Sequence, residues 1–326
     1  MTYDQTIRQL LQSEEPALRY KTRLNVLRED PASDAMQQLQ EEIRTSPRVQ
    51  TLLSERDENG NLPHIPYRKW VGAHWVLADL ADIGYPPGDA ALISLREQQL
   101  GWLLHPAHLK AVKVIAGRAR RCASIEGNAI YSLLKLGLAD ERCDELAACL
   151  VQWQWPDGGW NCDKNPQAEH SSFMESLIPL RALALHGRLT DSPGSQEAAE
   201  RASEIFLKRR LFRRQSDGSI IAPDFVVLHY PCYWHYDVLF GLKVLAEAGF
   251  IGDPRCREAL DLLESMRLPD GGFAAGKKYY GKSWKGGAGR SLVDWGGAGK
   301  KRMNPFVTAD ALAVLQAAGR LDAPNL

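Results

Sequence analysis

Apolar residues return along this chain at three- and four-residue spacing, in segments that open on a polar or aromatic residue and close on glycine. Five segments share that grammar: WVGAHWVLADLADIG ending at Gly84, EGNAIYSLLKLG at Gly137, SSFMESLIPLRALALHG at Gly187, WHYDVLFGLKVLAEAG at Gly249 and VTADALAVLQAAG at Gly319. Each predicts a helix, because glycine just past the last apolar residue is a common stop. A weaker sixth copy, PALRYKTRLNVL, carries Pro16 where a first helical turn tolerates it. Between them lie segments with one charged face: YDQTIRQLLQ, SDAMQQLQEEIRTS, DAALISLREQQLGWLL, DERCDELAACLVQWQ, SQEAAERASEIFLKRRLF and DPRCREALDLLESMR. Helices apolar on most faces belong inside, and those with a charged face belong outside. The two kinds alternate at intervals of roughly 50 to 70 residues, the length scale of a structural repeat. The pattern predicts an all-α chain of six inner and six outer helices, closed into an (α/α)6 toroid as a single domain over residues 1–326. An open solenoid would stack the same pairs but calls for polar capping repeats, and none is evident.

SIIAPDFVVL (Ser219–Leu228) is the one candidate strand. A Gly-rich stretch over 274–303 breaks the helical pattern, carrying Lys277, Lys278, Lys282, Lys285, Arg290, Lys300, Lys301 and Arg302 against Asp294. An irregular insertion of that length is either a functional lid or a disordered segment. Its lysines stand among Tyr279, Tyr280 and Trp284, so a phosphate or nucleic-acid grip is a further reading. Overall charge argues against nucleic acid: 40 Lys+Arg balance 40 Asp+Glu, leaving no general attraction to polyanions or anionic membranes. Hydrophobic residues at 44% and charged residues at 25% are ordinary for a globular protein. No uncharged apolar run reaches the length of a membrane span, and MTYDQTIRQLLQSEEP has no basic-then-apolar leader pattern, so a cytoplasmic location is expected. The six cysteines, Cys122, Cys143, Cys149, Cys162, Cys232 and Cys256, are then thiols, packed as small hydrophobes or free to ligate metal.

In QWPDGGWNCD, Gln154, Gly158 and Trp160 fit a QxxxGxW motif. Looser echoes follow at RLPDGGF (Arg267–Phe273) and RRQSDGS (Arg213–Ser219), and weaker ones at ENGN (Glu58–Asn61) and QLGW (Gln99–Trp102). In these residues the chain resembles the terpenoid-cyclase and protein-prenyltransferase superfamily, and within it the single-domain squalene-cyclase-like and prenyltransferase-like bacterial proteins. The resemblance covers essentially the whole length and independently implies the (α/α)6 barrel. It implies structural roles for Gln154, Trp160 and Phe273, which in the family tie outer helices to adjoining loops. It also implies an enzyme of cyclase, lyase or transferase type, acting on a small or isoprenoid-like substrate in a central pore. The chain departs from the family's acids: the DxDD motif is reduced to Asp310 in VTADALAVL, and no DDxxD occurs. That departure leaves open a non-catalytic toroid that binds a hydrophobic ligand. Protein prenyltransferase β subunits hold zinc with an Asp and a Cys from one segment and a His opening a later inner helix. Cys162 and Asp163 in WNCD and His235 in YWHYD resemble that set, in Cys-Asp order and with Cys232 nearby. Lanthionine cyclases, which share the barrel, also hold a Cys/Cys/His zinc at its centre. Thiolate, carboxylate and imidazole suit tetrahedral Zn2+ with an open fourth position.

In a toroid of alternating pairs the inner helices run one way, so their starts ring one end of the pore. Those starts are polar: Arg19, Tyr20 and Arg23; Lys69, Trp70, His74 and Trp75; Glu126, Asn128 and Tyr131; His170, Ser171, Ser172 and Glu175; His235 and Asp237; Asn304, Thr308 and Asp310. Charges and aromatics converging on one cavity are what a site needs. Asp237, Glu175, Glu126, His74 and Asp310 are the candidate acid–base residues, with His235–Asp237 and His74–Glu126 as pairs. Trp70, Trp75, Tyr131, Trp234, Lys69 and Arg23 are the candidate substrate contacts. Ser171, Asn304 and Thr308 are equally placed to cap helices, and Trp160 to fill a core.

Overall fold

The computed structural model of the chain describes residues 2–281 and 289–322. In chain order its helices begin with α1 (Tyr3–Leu11), α2 (Pro16–Asn25), α3 (Asp34–Arg44), α4 (Pro47–Leu52), α5 (Ala73–Ile83), α6 (Ile93–Leu103) and α7 (Pro106–Lys110). They continue with α8 (Ser124–Lys135), α9 (Glu141–Trp153), α10 (Phe173–Thr190), α11 (Pro193–Leu207), α12 (Val238–Glu247), α13 (Arg257–Ser265) and α14 (Pro305–Ala317). The apolar segments are α2, α5, α8, α10, α12 and α14; the charged ones are α1, α3, α6, α9, α11 and α13. Asp237 caps α12 by accepting the Phe240 N–H at 2.8 Å, and Asn304 caps α14 through the N–H groups of Phe306 and Val307. Gly84, Gly137, Gly249 and Gly319 stop their helices with positive φ, as their positions predict. Gly187 does not. α10 runs through it to Thr190, and the left-handed residue is Asp191 at φ +52. Gly187 instead lets α11 come close, since a Cβ there would stand 2.7 Å from Gln196.

Each apolar helix before α14 packs on a charged neighbour: α2 on α1 and α3, α5 on α6, α8 on α9, α10 on α11, and α12 on α13. The apolar helices also pack on one another in chain order, from α2 through α5, α8, α10 and α12 to α14. α14 then packs on α2, so the circuit of contacts returns to its beginning. Glu175 at the start of α10 accepts the Ser124 N–H at the start of α8, while Lys243 in the middle of α12 donates to Asp82 late in α5. α8 and α10 therefore begin at the same end. Between the layers Leu77, Leu133, Leu180, Leu242 and Leu312 are fully buried, each contributing about 1.5–3 kcal/mol.

The strand expected at Ser219–Leu228 does not form. One bridge joins Arg213 to Ile220, and Pro223–Val226 makes a short 3-10 turn; Pro223 has no backbone donor for a ladder. Strand occurs instead as a hairpin, β1 (Lys113–Ile115) with β2 (Arg118–Arg120), and a short parallel pair, β3 (Tyr280–Gly281) with β4 (Gly289–Arg290). Part of the described 274–303 insertion is packed into the fold, while residues 298–302 are exposed. Trp295 is fully buried, and the Tyr280 hydroxyl accepts the Trp295 N–H and donates to Asp294. Lys282, Trp284 and Lys285 lie outside the described residues. No described helix is long and apolar enough to cross a membrane.

Candidate functional site

Two loops share one construction. In QWPDGGW, Gln154 donates its amide to the carbonyls of Gly158 at 2.7 Å and Ala198 at 2.8 Å, tying the end of α9 to α11. Trp160 is buried and donates its indole N–H to the Leu150 carbonyl at 2.9 Å. The Ser176 hydroxyl of α10 brackets Trp160, accepting its N–H at 3.0 Å and donating to its carbonyl at 3.3 Å. In RLPDGGF, Arg267 donates to the Gly271 carbonyl at 3.1 Å, and the Thr308 hydroxyl of α14 brackets Phe273 at 2.9 and 3.3 Å. Gly158, at φ +102, would drive a Cβ to 2.4 Å from the Arg201 carbonyl oxygen, so only glycine fits.

The first loop delivers Cys162 to a cluster. Asn161 bridges to Arg120 at the end of β2, and its carbonyl accepts the Arg121 N–H at 3.1 Å. That pairing lays Cys122 beside Cys162. The Ser172 N–H donates to the Trp160 carbonyl at 2.8 Å and draws in the start of α10 with Glu175. Ligand atoms of Cys122, Cys162 and Glu175 all lie within 4.8 Å of one another. Cys162 Sγ stands 3.7 Å from Glu175 Oε1, while Glu175 Oε2 accepts the Ser124 N–H at 3.1 Å. The hydrogen bond between the thiols lowers the Cys162 pKa and, with burial, raises that of Cys122. Burial raises the Glu175 pKa. Two thiols and a carboxylate in this arrangement can hold a divalent metal. Nearby, Glu126 accepts from Arg121 Nε at 2.8 Å, with His108 Nε2 at 3.5 Å. Burial opposes its charge, but His108 and Arg121 hold its carboxyl below the usual range.

This cluster is not the set the resemblance implies, since Asp163 and His235 stand outside it. Asp163 is exposed and accepts the Asn165 N–H at 2.9 Å, closing its own turn. His235 is sandwiched between Trp234 at 4.2 Å and Tyr279 at 3.3 Å, because YWHYD packs on the insertion and not on WNCD. Burial pushes the His235 pKa down to about 3. The expected acid–base pairs also re-sort. Asp237 meets His229 Nδ1 at 2.6 Å instead of His235. His74 is fully buried against the amides of Gln99 at 3.1 Å and Asn128 at 3.3 Å, and burial lowers its pKa to about 3.

Of the expected substrate contacts, most pack on one another in an aromatic plug. Trp70 stacks on Tyr233 at 3.6 Å, Trp75 meets Trp70 edge-on at 4.7 Å, and the Lys69 ammonium lies 3.8 Å above Trp234. Trp70 also donates its indole N–H to the Tyr279 carbonyl at 2.9 Å, so the insertion is part of this aromatic plug. Arg23 turns to the outer face of α2 and pairs with Glu29 at 2.8 Å. Tyr280 is buried and Tyr279 is stacked on His235, which removes both rings from a nucleic-acid grip.

Asp310 and Tyr131 lie further along the axis, in a layer the starts of the helices did not announce. Lys21 and Lys243 each pair with both Asp82 and Asp310, at 2.8 and 2.9 Å. Arg181 pairs with Glu247 at 2.8 Å and lies 3.7 Å above the Tyr131 ring. Against the cost of burial, Lys21, Lys243 and Arg181 hold the Asp82 carboxyl well below its usual range. On the side of the aromatic plug, a cavity of about 40 Å³ holds Asp79 beside Tyr233, Asn128 and Cys232. On the other side, at the helix ends, a cavity of about 510 Å³ opens between Tyr20, Tyr85, Tyr131, Lys135 and Arg188. Neither a known protein family nor a curated protein matches the chain.

Proposed function

We propose that the chain is an (α/α)6 toroid of the terpenoid-cyclase and prenyltransferase kind, an enzyme whose zinc ion is held by Cys122, Cys162 and Glu175 and which cyclises or transfers a small or isoprenoid-like substrate. The returning circuit of helix contacts and the two matching loops support the architecture. One observation carries the site: two half-buried thiols and a buried carboxylate, from three separate segments, converge within 4.8 Å. Beyond its hydrogen bond from the Ser124 N–H, the Glu175 carboxylate completes with the two thiols a donor set that suits a borderline-soft cation. An S2O donor set with an open fourth position suits catalytic zinc, and the Ser124 N–H orients Glu175 as an outer contact should.

A zinc ion so held supplies a Lewis acid. The chain's own residues supply the proton handling. Cys162 is the thiol prepared to lose its proton. Tyr67, packed against His74, Trp75 and Trp102, keeps its phenol proton because burial raises its pKa. Glu126 stays ionised and fixes Arg121 and His108 beside the cluster. A purely hydrophobic ligand has less to gain here, because the axis is crossed by buried ion pairs.

Elemental analysis of the purified full-length chain tests the site. Wild type should carry about one equivalent of zinc, and Cys122→Ser or Cys162→Ser should leave less than about a tenth. Asp163→Asn and His235→Ala should keep the metal. Wild type below about a tenth of an equivalent, or metal lost from His235→Ala but kept in Cys122→Ser, overturns the assignment.

A further inference from the structure

We propose that the cavity at the far ends of the apolar helices binds a small organic dianion, a phosphomonoester or dicarboxylate group, through Lys135, Arg188 and Tyr131. This site is separate from the metal cluster and does not depend on it. The argument begins with charge. Lys21 and Lys243 alternate with Asp82 and Asp310 in a closed four-membered ring, two positive and two negative, which is neutral. Arg181 and Glu247 form a second neutral unit. Two lining cations remain. Lys135, exposed at the rim of the cavity, makes no hydrogen bond or ion pair among the described residues. Arg188 donates only to the Glu247 backbone carbonyl at 3.2 Å and has no carboxylate partner among the described residues.

The geometry gathers these donors. Tyr131 and Lys135 are one turn apart on α8, and Arg181 and Arg188 are two turns apart on α10, so each pair shares a face. All four line the cavity. The Tyr131 hydroxyl has no partner among the described residues, although the ring is buried beneath Arg181. Two uncompensated cations and a free phenol in one concavity present three donors to a dianion, and concave walls concentrate the field. The rings of Tyr20 and Tyr85, with Leu24 and Leu185, offer apolar wall for an organic body, and about 510 Å³ is the size of a small-molecule site.

A competing explanation is that these cations only complement the carbonyl ends of their helices. Arg188 fits that in part; Lys135, which touches no carbonyl, does not. Isothermal titration calorimetry on the full chain, at about 50 mM ionic strength to limit screening, separates the two. Inorganic phosphate and succinate are the probes, and glycerol is the neutral control. At least one dianion should bind once per chain and weaken as salt rises. Lys135→Met/Arg188→Met should bind it about tenfold or more weakly, and Tyr131→Phe should lose a smaller factor. Cys162→Ser, which breaks the metal cluster, should bind like wild type. The tighter probe identifies the group as phosphoryl or carboxylate. Should the double variant lose its helical circular dichroism, single Lys135→Gln gives the same comparison. No heat from either probe at about 10 mM, a concentration that would reveal even millimolar affinity, overturns the proposal. So does a folded double variant that binds as wild type does.

Discussion

Asp79 holds a carboxyl in the small axial cavity with Oδ2 unpartnered. Burial, then the neighbouring charge of Asp82, raise its pKa well above 3.8, against a weaker pull from Arg48. A carboxyl whose folded pKa is raised gives stability that is full below its unfolded pKa and lost as pH rises through and beyond it. Asp79→Asn removes the titrating group, so its Tm should exceed that of wild type by ~2 °C or more at pH 8, the shift for a gain near 1 kcal/mol in a chain this long. The gap should close toward pH 4. A gap that stays constant between those pH values shows that Asp79 is ionised in the native protein. Residues of this kind were only partly legible. Cys162, Glu175 and Glu126 stand at helix starts or in the motif loop, where chemistry is expected. Cys122 read only as one of six cysteines, because its partner is fixed by the non-local bridge between Arg120 and Asn161. Lys21, Arg181 and Lys243 did leave a mark: a long charged side chain in an apolar helical stripe, as in VLFGLKVLAE. Such a residue must find a partner or water once the stripe is buried.

Helices were legible because both periodicity and stops are local. Gly84, Gly137, Gly249 and Gly319 end helices where their left-handed φ is required. α10 overran its predicted stop because the crossing of α11, a tertiary contact, explains Gly187. Candidate pairs such as His235 with Asp237 failed for a similar reason. Two residues apart around the N-cap of α12, they diverge: Asp237 turns back to cap the helix and hold His229, while His235 joins the aromatic plug. The matching loops make an element-scale prediction. Thr308→Val removes the hydroxyl that brackets Phe273, and Ser176→Ala the one that brackets Trp160. Each leaves a buried backbone group unmatched and should destabilise by about 1–3 kcal/mol in urea melts. The hydroxyls share no partner, so the double variant should equal the sum within about 0.5 kcal/mol. A near-zero effect at either position means that its loop is held by the glycines and aromatic rings alone.

At the scale of the molecule, the contact between α14 and α2 decides whether the stack of helix pairs is a ring or an open spiral. The axial charges depend on the same contact, because Asp310 on α14 completes the ring with Lys21 on α2 and Lys243 on α12. In an open repeat array each unit leans only on its neighbours, so damage decays along the chain. In a closed circuit the last helix has two neighbours, and one of them is near the N-terminus. Leu312→Ala, at a fully buried position of α14, should cost about 2–5 kcal/mol. Native-state hydrogen exchange can show where that cost falls. Amides of α2 and α12 should lose protection alike, and more than those of α8, which lies across the circuit. Loss that is greatest in α12, smaller in α8 and least in α2 would show that α14 ends the stack without closing it. The aromatic plug would then seal an incomplete wall, and the cavity lined by Lys135 and Arg188 would be a surface groove instead of the mouth of a pore.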